Sequence, residues 1–162
     1  MLQGTLFKYG KGSANVAFKA SGIANSENNP NHQRSSKCAI FVGGLTDGLF
    51  ACSYVEPLSR RLGEGGVSLV QTLLSSSHQG YGTSSLNQDA EELTALAQFL
   101  ASQFGCEKYA LIGHSTGCQD SVRLVKRLKE TERGREILPS CVVLQVCACG
   151  RDTIFIDTPV DR

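Results

Sequence analysis

From Lys37 onward the chain alternates short apolar runs with stretches patterned like helices, and this alternation limits the fold more than any other feature. The apolar runs are Cys38–Val42, Val67–Leu74, Tyr109–Ile112 and Cys141–Val146. Their apolar residues are consecutive rather than alternating, as in strands buried on both faces. Three helical stretches separate them. In the first, Val55, Leu58 and Leu62 recur at three- and four-residue spacing, and Gly63 supplies the stop. In the second, Ser85 and Gln88 have the spacing of a capping box, Leu93, Leu96, Leu100 and Phe104 form the apolar stripe, and Gly105 stands where a C-cap glycine belongs. The third covers Ser115–Glu130, with Val122, Val125 and Leu128 on one face and basic residues toward its end. The order strand, helix, strand, helix, strand, helix, strand predicts a mostly parallel sheet with helices on both faces. Ligands of such sheets bind at the carboxyl ends of the strands. The Gly-rich segments 43–48, 80–82 and 113–117 all follow strands, so they are expected to gather at that edge.

Upstream, Gly4–Tyr9 and Ala14–Ala20 alternate apolar and polar residues around Gly10-Lys11-Gly12-Ser13, which reads as a β-hairpin. Residues 21–37, rich in Asn and Ser, read as a surface loop. Residues 1–162 make one domain, ending in an atypical tail over 146–162. Lys+Arg number 16 and Asp+Glu 15, a balance that gives no electrostatic case for a nucleic-acid partner. No apolar run reaches the ~18 residues of a membrane-spanning helix. The N-terminus lacks the pattern of a secretory signal, so a cytoplasmic location is expected. The seven cysteines then read as reduced core thiols. Cys141, Cys147 and Cys149 cluster without a zinc spacing or a following histidine, so neither metal nor cofactor is expected.

The main chemical motif is Gly113-His114-Ser115-Thr116-Gly117. It directly follows an apolar strand and precedes an amphipathic helix, the strand–turn–helix setting of a nucleophile elbow. In such a turn a side chain at either glycine collides with neighbouring backbone, and strain lifts the serine hydroxyl clear of the sheet edge. The bland alternative is that Ser115 only caps the helix. After the first buried strand comes Gly43-Gly44-Leu45-Thr46-Asp47-Gly48. An oxyanion hole in this setting takes one N–H from the residue after the nucleophile, here Thr116, and one from this loop. Leu45 is the first choice and Thr46 the second, against the alternative of a plain Gly-rich turn. Asp47 is either a contact in the substrate cleft or, preferably, a loop cap. His78, in His78-Gln79-Gly80-Tyr81-Gly82, follows a strand and is expected as a loop residue near the substrate cleft, with a substitute base as the lesser alternative, and no dinucleotide or P-loop glycine pattern is completed there.

The stretches FVGGLTDGLFA, VSLVQTLLSSSHQGYGTSSLNQDAEEL and LIGHSTGCQDSV closely resemble an esterase-like branch of the α/β-hydrolase superfamily, found in plants and fungi and of unassigned function. The resemblance implies an α/β-hydrolase sheet, Ser115 as nucleophile, and a small ester as substrate. It also implies a later Asp and a late His, in the order Ser, acid, His. Neither has a counterpart here: His32, His78 and His114 all precede Ser115, and none follows it. The chain therefore resembles the N-terminal half of such an enzyme, truncated after the strand that follows the nucleophile helix, and is expected to be nearly inactive alone. Acyl transfer or thioester hydrolysis would use the same nucleophile. The competing reading is a non-catalytic truncated isoform acting as an interaction module, with an exposed strand edge as a template for pairing.

Overall fold

The computed structural model describes residues 2–21, 36–78, 82–145 and, for the backbone, 154–157. Its elements are β1 (Gly4–Lys8), β2 (Val16–Ala20), β3 (Lys37–Val42), α1 (Val55–Glu64), β4 (Val67–Thr72), α2 (Leu86–Phe104), β5 (Lys108–His114), α3 (Gly117–Lys129), α4 (Glu132–Arg135), β6 (Cys141–Gln145) and β7 (Ile154–Asp157). They form one sheet in the order β1-β2-β4-β3-β5-β6-β7. The four central strands run parallel, and the hairpin β1–β2 joins antiparallel through β2 to β4.

The consecutive apolar residues of β3 explain why both faces are covered. Successive side chains of a strand point to opposite faces. Cys38, Ile40 and Val42 pack with Leu93, Leu96 and Leu100 of α2 and Leu124 of α3. Ala39 and Phe41 pack on the other face with Val55, Leu58 and Leu62 of α1. The apolar stripes of both helices thus find separate faces of one strand. The expected stripe of α2 holds: Leu93, Leu96 and Leu100 are fully buried, while Phe104 packs with tilted rings against Phe7 and Phe99. Ser85 Oγ accepts the Gln88 N–H at 3.2 Å, and Gly105 closes the helix at φ +66°.

Several boundaries differ from the sequence reading. Helix α1 continues past Gly63 to Glu64, and the following Gly65 is its cap. Helix α3 begins at Gly117 rather than Ser115, because Ser115 takes a left-handed backbone conformation that a helix excludes. The hairpin connection is longer than four residues and is closed by Tyr9 N–H donating to Asn15 O at 3.0 Å. The sheet does not stop at β6: β7 pairs with it antiparallel, Cys141 opposite Asp157 and Leu144 opposite Ile154. That edge of β6 is therefore occupied, and the edge of the sheet lies at β7 instead. Most of the 21–37 loop and most of the tail, with His32, Cys147 and Cys149, lie outside the described residues. Among the described residues no helix is long and apolar enough to cross a membrane.

Leu93 is completely buried between the sheet and α3. Truncating such a leucine removes contacts that the surroundings only partly recover, so Leu93→Ala is expected to cost about 2–5 kcal/mol in urea denaturation. A cost below about 1 kcal/mol would mean that α2 does not pack as described.

Candidate active site

Each central strand ends at the same edge of the sheet, and the loops that follow meet there. Ser115 follows β5 with φ +54°, the left-handed region that L residues enter at a cost of about 1–2 kcal/mol. The surroundings hold it there. Its N–H donates to Gln145 O at the end of β6, 3.0 Å away, and its carbonyl accepts the Cys118 N–H at 3.1 Å. The two motif glycines allow the crossing. A Cβ on Gly113 would lie 2.7 Å from Gly117 O, and one on Gly117 would collide with Val42 O and lie 2.5 Å from Gly43 O. The start of α3 is therefore pressed against the end of β3. The helix cap is Thr116, with no side-chain cap bond, so Ser115 is not serving as an N-cap.

The loop after β3 arrives at Ser115 through Gly44. A Cβ there would stand 2.9 Å from Ser115 Cβ and 3.4 Å from its Oγ. Asp47 closes this loop on itself. Its Oδ2 accepts the Gly44 N–H at 2.7 Å, its own N–H donates to Gly44 O at 3.1 Å, and Thr46 takes φ +66° to make the turn. The Gly44 amide is thereby committed. Neither the Leu45 nor the Thr116 N–H has an acceptor among the described residues, and both residues line the same cleft. Farther along, the Phe50 N–H donates to Oε1 of the buried Gln71 at 2.8 Å, which ties the loop to β4.

His114 is committed away from this cleft. Its Nδ1 lies 3.0 Å from the Tyr54 hydroxyl, and its ring stacks at 22° on Phe41, on the face that α1 covers. His78 is exposed, with φ +56°, and lies over Gly48. No hydrogen bond joins it to Ser115 among the described residues.

The cleft has a volume of about 200 Å³ and opens between the first turns of α2 and α3. Two carboxylates that the sequence reading passed over line it, Asp89 and Asp120. Asp120 is 94% buried, counting from its 6% exposure. Burial first, and the neighbouring Asp89 second, push its carboxyl up to about 7. Burial also raises Asp89, opposed by hydrogen bonds from Ser76 and Ser84. The only available signal was an acidic residue in the first turn of each helix, which is also the ordinary response to the helix dipole.

A family model described as protein of unknown function (DUF1749) matches residues 3–158. The UPF0613 protein PB24D3.06c of Schizosaccharomyces pombe is 43% identical over 109 residues, covering 65% of this chain and 34% of that protein. The fusarinine C esterase sidJ of Aspergillus fumigatus is 33% identical over 102 residues, covering 58% of this chain and 29% of that protein. Among solved structures, one described as an alpha/beta hydrolase fold protein of unknown function superposes with a TM-score of 0.62 at 24% identity, covering 88% of this chain and 43% of that one. The fold is that of the α/β-hydrolases. The chain spans about a third of the length of the curated relatives it matches, at 34% and 29%.

Asp120 makes stability depend on pH with a definite sign. Its ordinary value is 3.8 and its folded value about 7, so between these the folded chain holds a proton that the unfolded chain has released. Stability from this group is complete below about pH 4 and is lost as pH rises through 7. Asp120→Asn should therefore be more stable than the parent at pH 8, by on the order of 2–4 kcal/mol, with the gap closing toward pH 4. Thermal or urea unfolding at the two pH values measures it. A gap independent of pH would contradict the assignment.

Proposed function

This chain belongs to the DUF1749 family, and on that footing we propose that it carries the nucleophile half of a serine hydrolase acting on small ester-type substrates. The observation that carries the reading is the meeting of Ser115, at φ +54°, with the Gly44 turn and two uncommitted amides. Ser115 Oγ attacks the substrate carbonyl carbon. The carbonyl oxygen, gaining negative charge, is received by the N–H groups of Leu45 and Thr116. Asp47 acts on the loop and not on substrate: by taking the Gly44 N–H it holds the turn that presents the Leu45 amide. Gly113 and Gly117 permit the backbone crossing that raises Ser115. His78, whose ring lies over Gly48, is not among the residues that line the cleft and takes no step in this reading.

A serine nucleophile needs a base within hydrogen-bond reach of its hydroxyl. Within this chain His114 is held by Tyr54, and no histidine follows Ser115. No described residue is bonded to the Ser115 hydroxyl as a base, and the chain matches only 34% and 29% of the lengths of its relatives. The similarity to the fusarinine C esterase of Aspergillus fumigatus supports the ester class. Acting alone, this polypeptide should retain only the residual ~10³–10⁴-fold acceleration over water that an oxyanion hole and binding provide.

Covalent trapping separates this reading from a structural role for the motif. Prolonged exposure to an alkyl fluorophosphonate is expected to give one adduct, on the peptide that contains Ser115, by mass spectrometry. Ser115→Ala should abolish it. Gly44→Ala should slow it by on the order of 10²-fold with the circular dichroism unchanged, because the added Cβ displaces the reacting group. Adducts only on other residues would remove Ser115 from the mechanism.

A further inference from the structure

On the α1 side of the nucleophile, away from the cleft, three side chains with different donor atoms converge. They are Asp47 in the loop after β3, Cys52 in the bend before α1, and His114 at the end of β5. A carboxylate oxygen, a Sγ and a ring nitrogen all lie within 4.8 Å of one another, and all three residues are half-buried. Two of them are already oriented by bonds from outside the cluster. Asp47 Oδ2 accepts the Gly44 N–H at 2.7 Å. The His114 ring is fixed by the Tyr54 hydroxyl at 3.0 Å and by stacking on Phe41. Cys52 is set by its turn, where its carbonyl accepts the Val55 N–H at 3.1 Å.

This spacing suits a small divalent ion. Bonds of about 2.0–2.3 Å arranged tetrahedrally put ligand atoms roughly 3.3–3.8 Å apart, so closing the cluster asks each group to move by about 1 Å or less. Sulfur, imidazole and carboxylate together favour a borderline transition ion over magnesium or calcium, which prefer oxygen alone. Partners such as Gly44 and Tyr54, which hold a ligand from behind, are the usual companions of a metal site.

We propose that Asp47, Cys52 and His114 form a three-ligand site for a zinc-class divalent cation, with the fourth position left to solvent or an external ligand. On binding, the Cys52 S–H bond breaks, the sulfur electron pair forms the metal–sulfur bond, and the proton passes to solvent. No electron transfer is involved. The site does not depend on the hydrolytic reading, since it uses neither Ser115 nor the oxyanion amides.

The test is a titration of the reduced, metal-free chain with Co²⁺, followed by its thiolate charge-transfer and tetrahedral d–d absorption. The chain should bind one Co²⁺ per molecule with both signatures, and Zn²⁺ should displace it. Cys52→Ala should abolish the charge-transfer band. Tyr54→Phe should retain the band with an affinity about tenfold weaker, the effect of losing a group that orients a ligand. A double substitution, Cys147→Ser with Cys149→Ser, should leave both signatures in place. An absent band in the parent chain, a band that survives Cys52→Ala, or one lost with Cys147 and Cys149 would overturn the proposal.

Discussion

The close crossing of α3 over β3 at Gly117 is the contact on which the rest of the site depends. There is no room for a side chain between this residue and the carbonyls of Val42 and Gly43. That contact brings the start of a helix, the end of a central strand and the loop after it to one point. Ser115, two residues earlier, must turn through a left-handed conformation to let the chain pass from strand to helix. The strain is held by two backbone bonds, to Gln145 and from Cys118, and by the buried sheet beneath. A serine hydroxyl at a sheet edge, facing a turn built around Gly44, is the geometric result.

Two sides of this junction have different chemistry. Toward α2 and α3 lies a cleft with open amides and two buried carboxylates, one pushed up to about 7. Toward α1 lies a set of aromatic and ligand-type groups, with His114 pinned by Tyr54 and Phe41. Adjacent residues of β5 and the elbow serve the two sides because strand side chains alternate between faces. Asp47 belongs to both. It closes the loop that presents Leu45, and its carboxylate also lies within the cluster that contains Cys52.

Much of this was legible in the sequence. The consecutive apolar residues of Cys38–Val42 announced a strand covered on both sides, and the helices that cover it could be read from their stripes and their glycine stops. The elbow was legible because Gly113 and Gly117 flank Ser115 at two positions where a Cβ would collide with backbone. Asp120 was not legible, since an acid in the first turn of a helix has an ordinary explanation in the helix dipole. The convergence of Asp47, Cys52 and His114 was hidden for a different reason. They come from three segments up to 67 residues apart, joined only by sheet order, and no local spacing encodes that. Strand β7 was missed because it is four residues long and joins β6 antiparallel, outside the strand–helix alternation that marks the parallel strands.

The most direct measurement is a crystal structure of the chain carrying a phosphonyl group on Ser115. The account requires one phosphoryl oxygen to lie about 2.7–3.1 Å from both the Leu45 and the Thr116 nitrogens, with Asp47 still holding Gly44. An oxygen turned to solvent, or held by other groups, would contradict the claim that these two amides and this serine form one site.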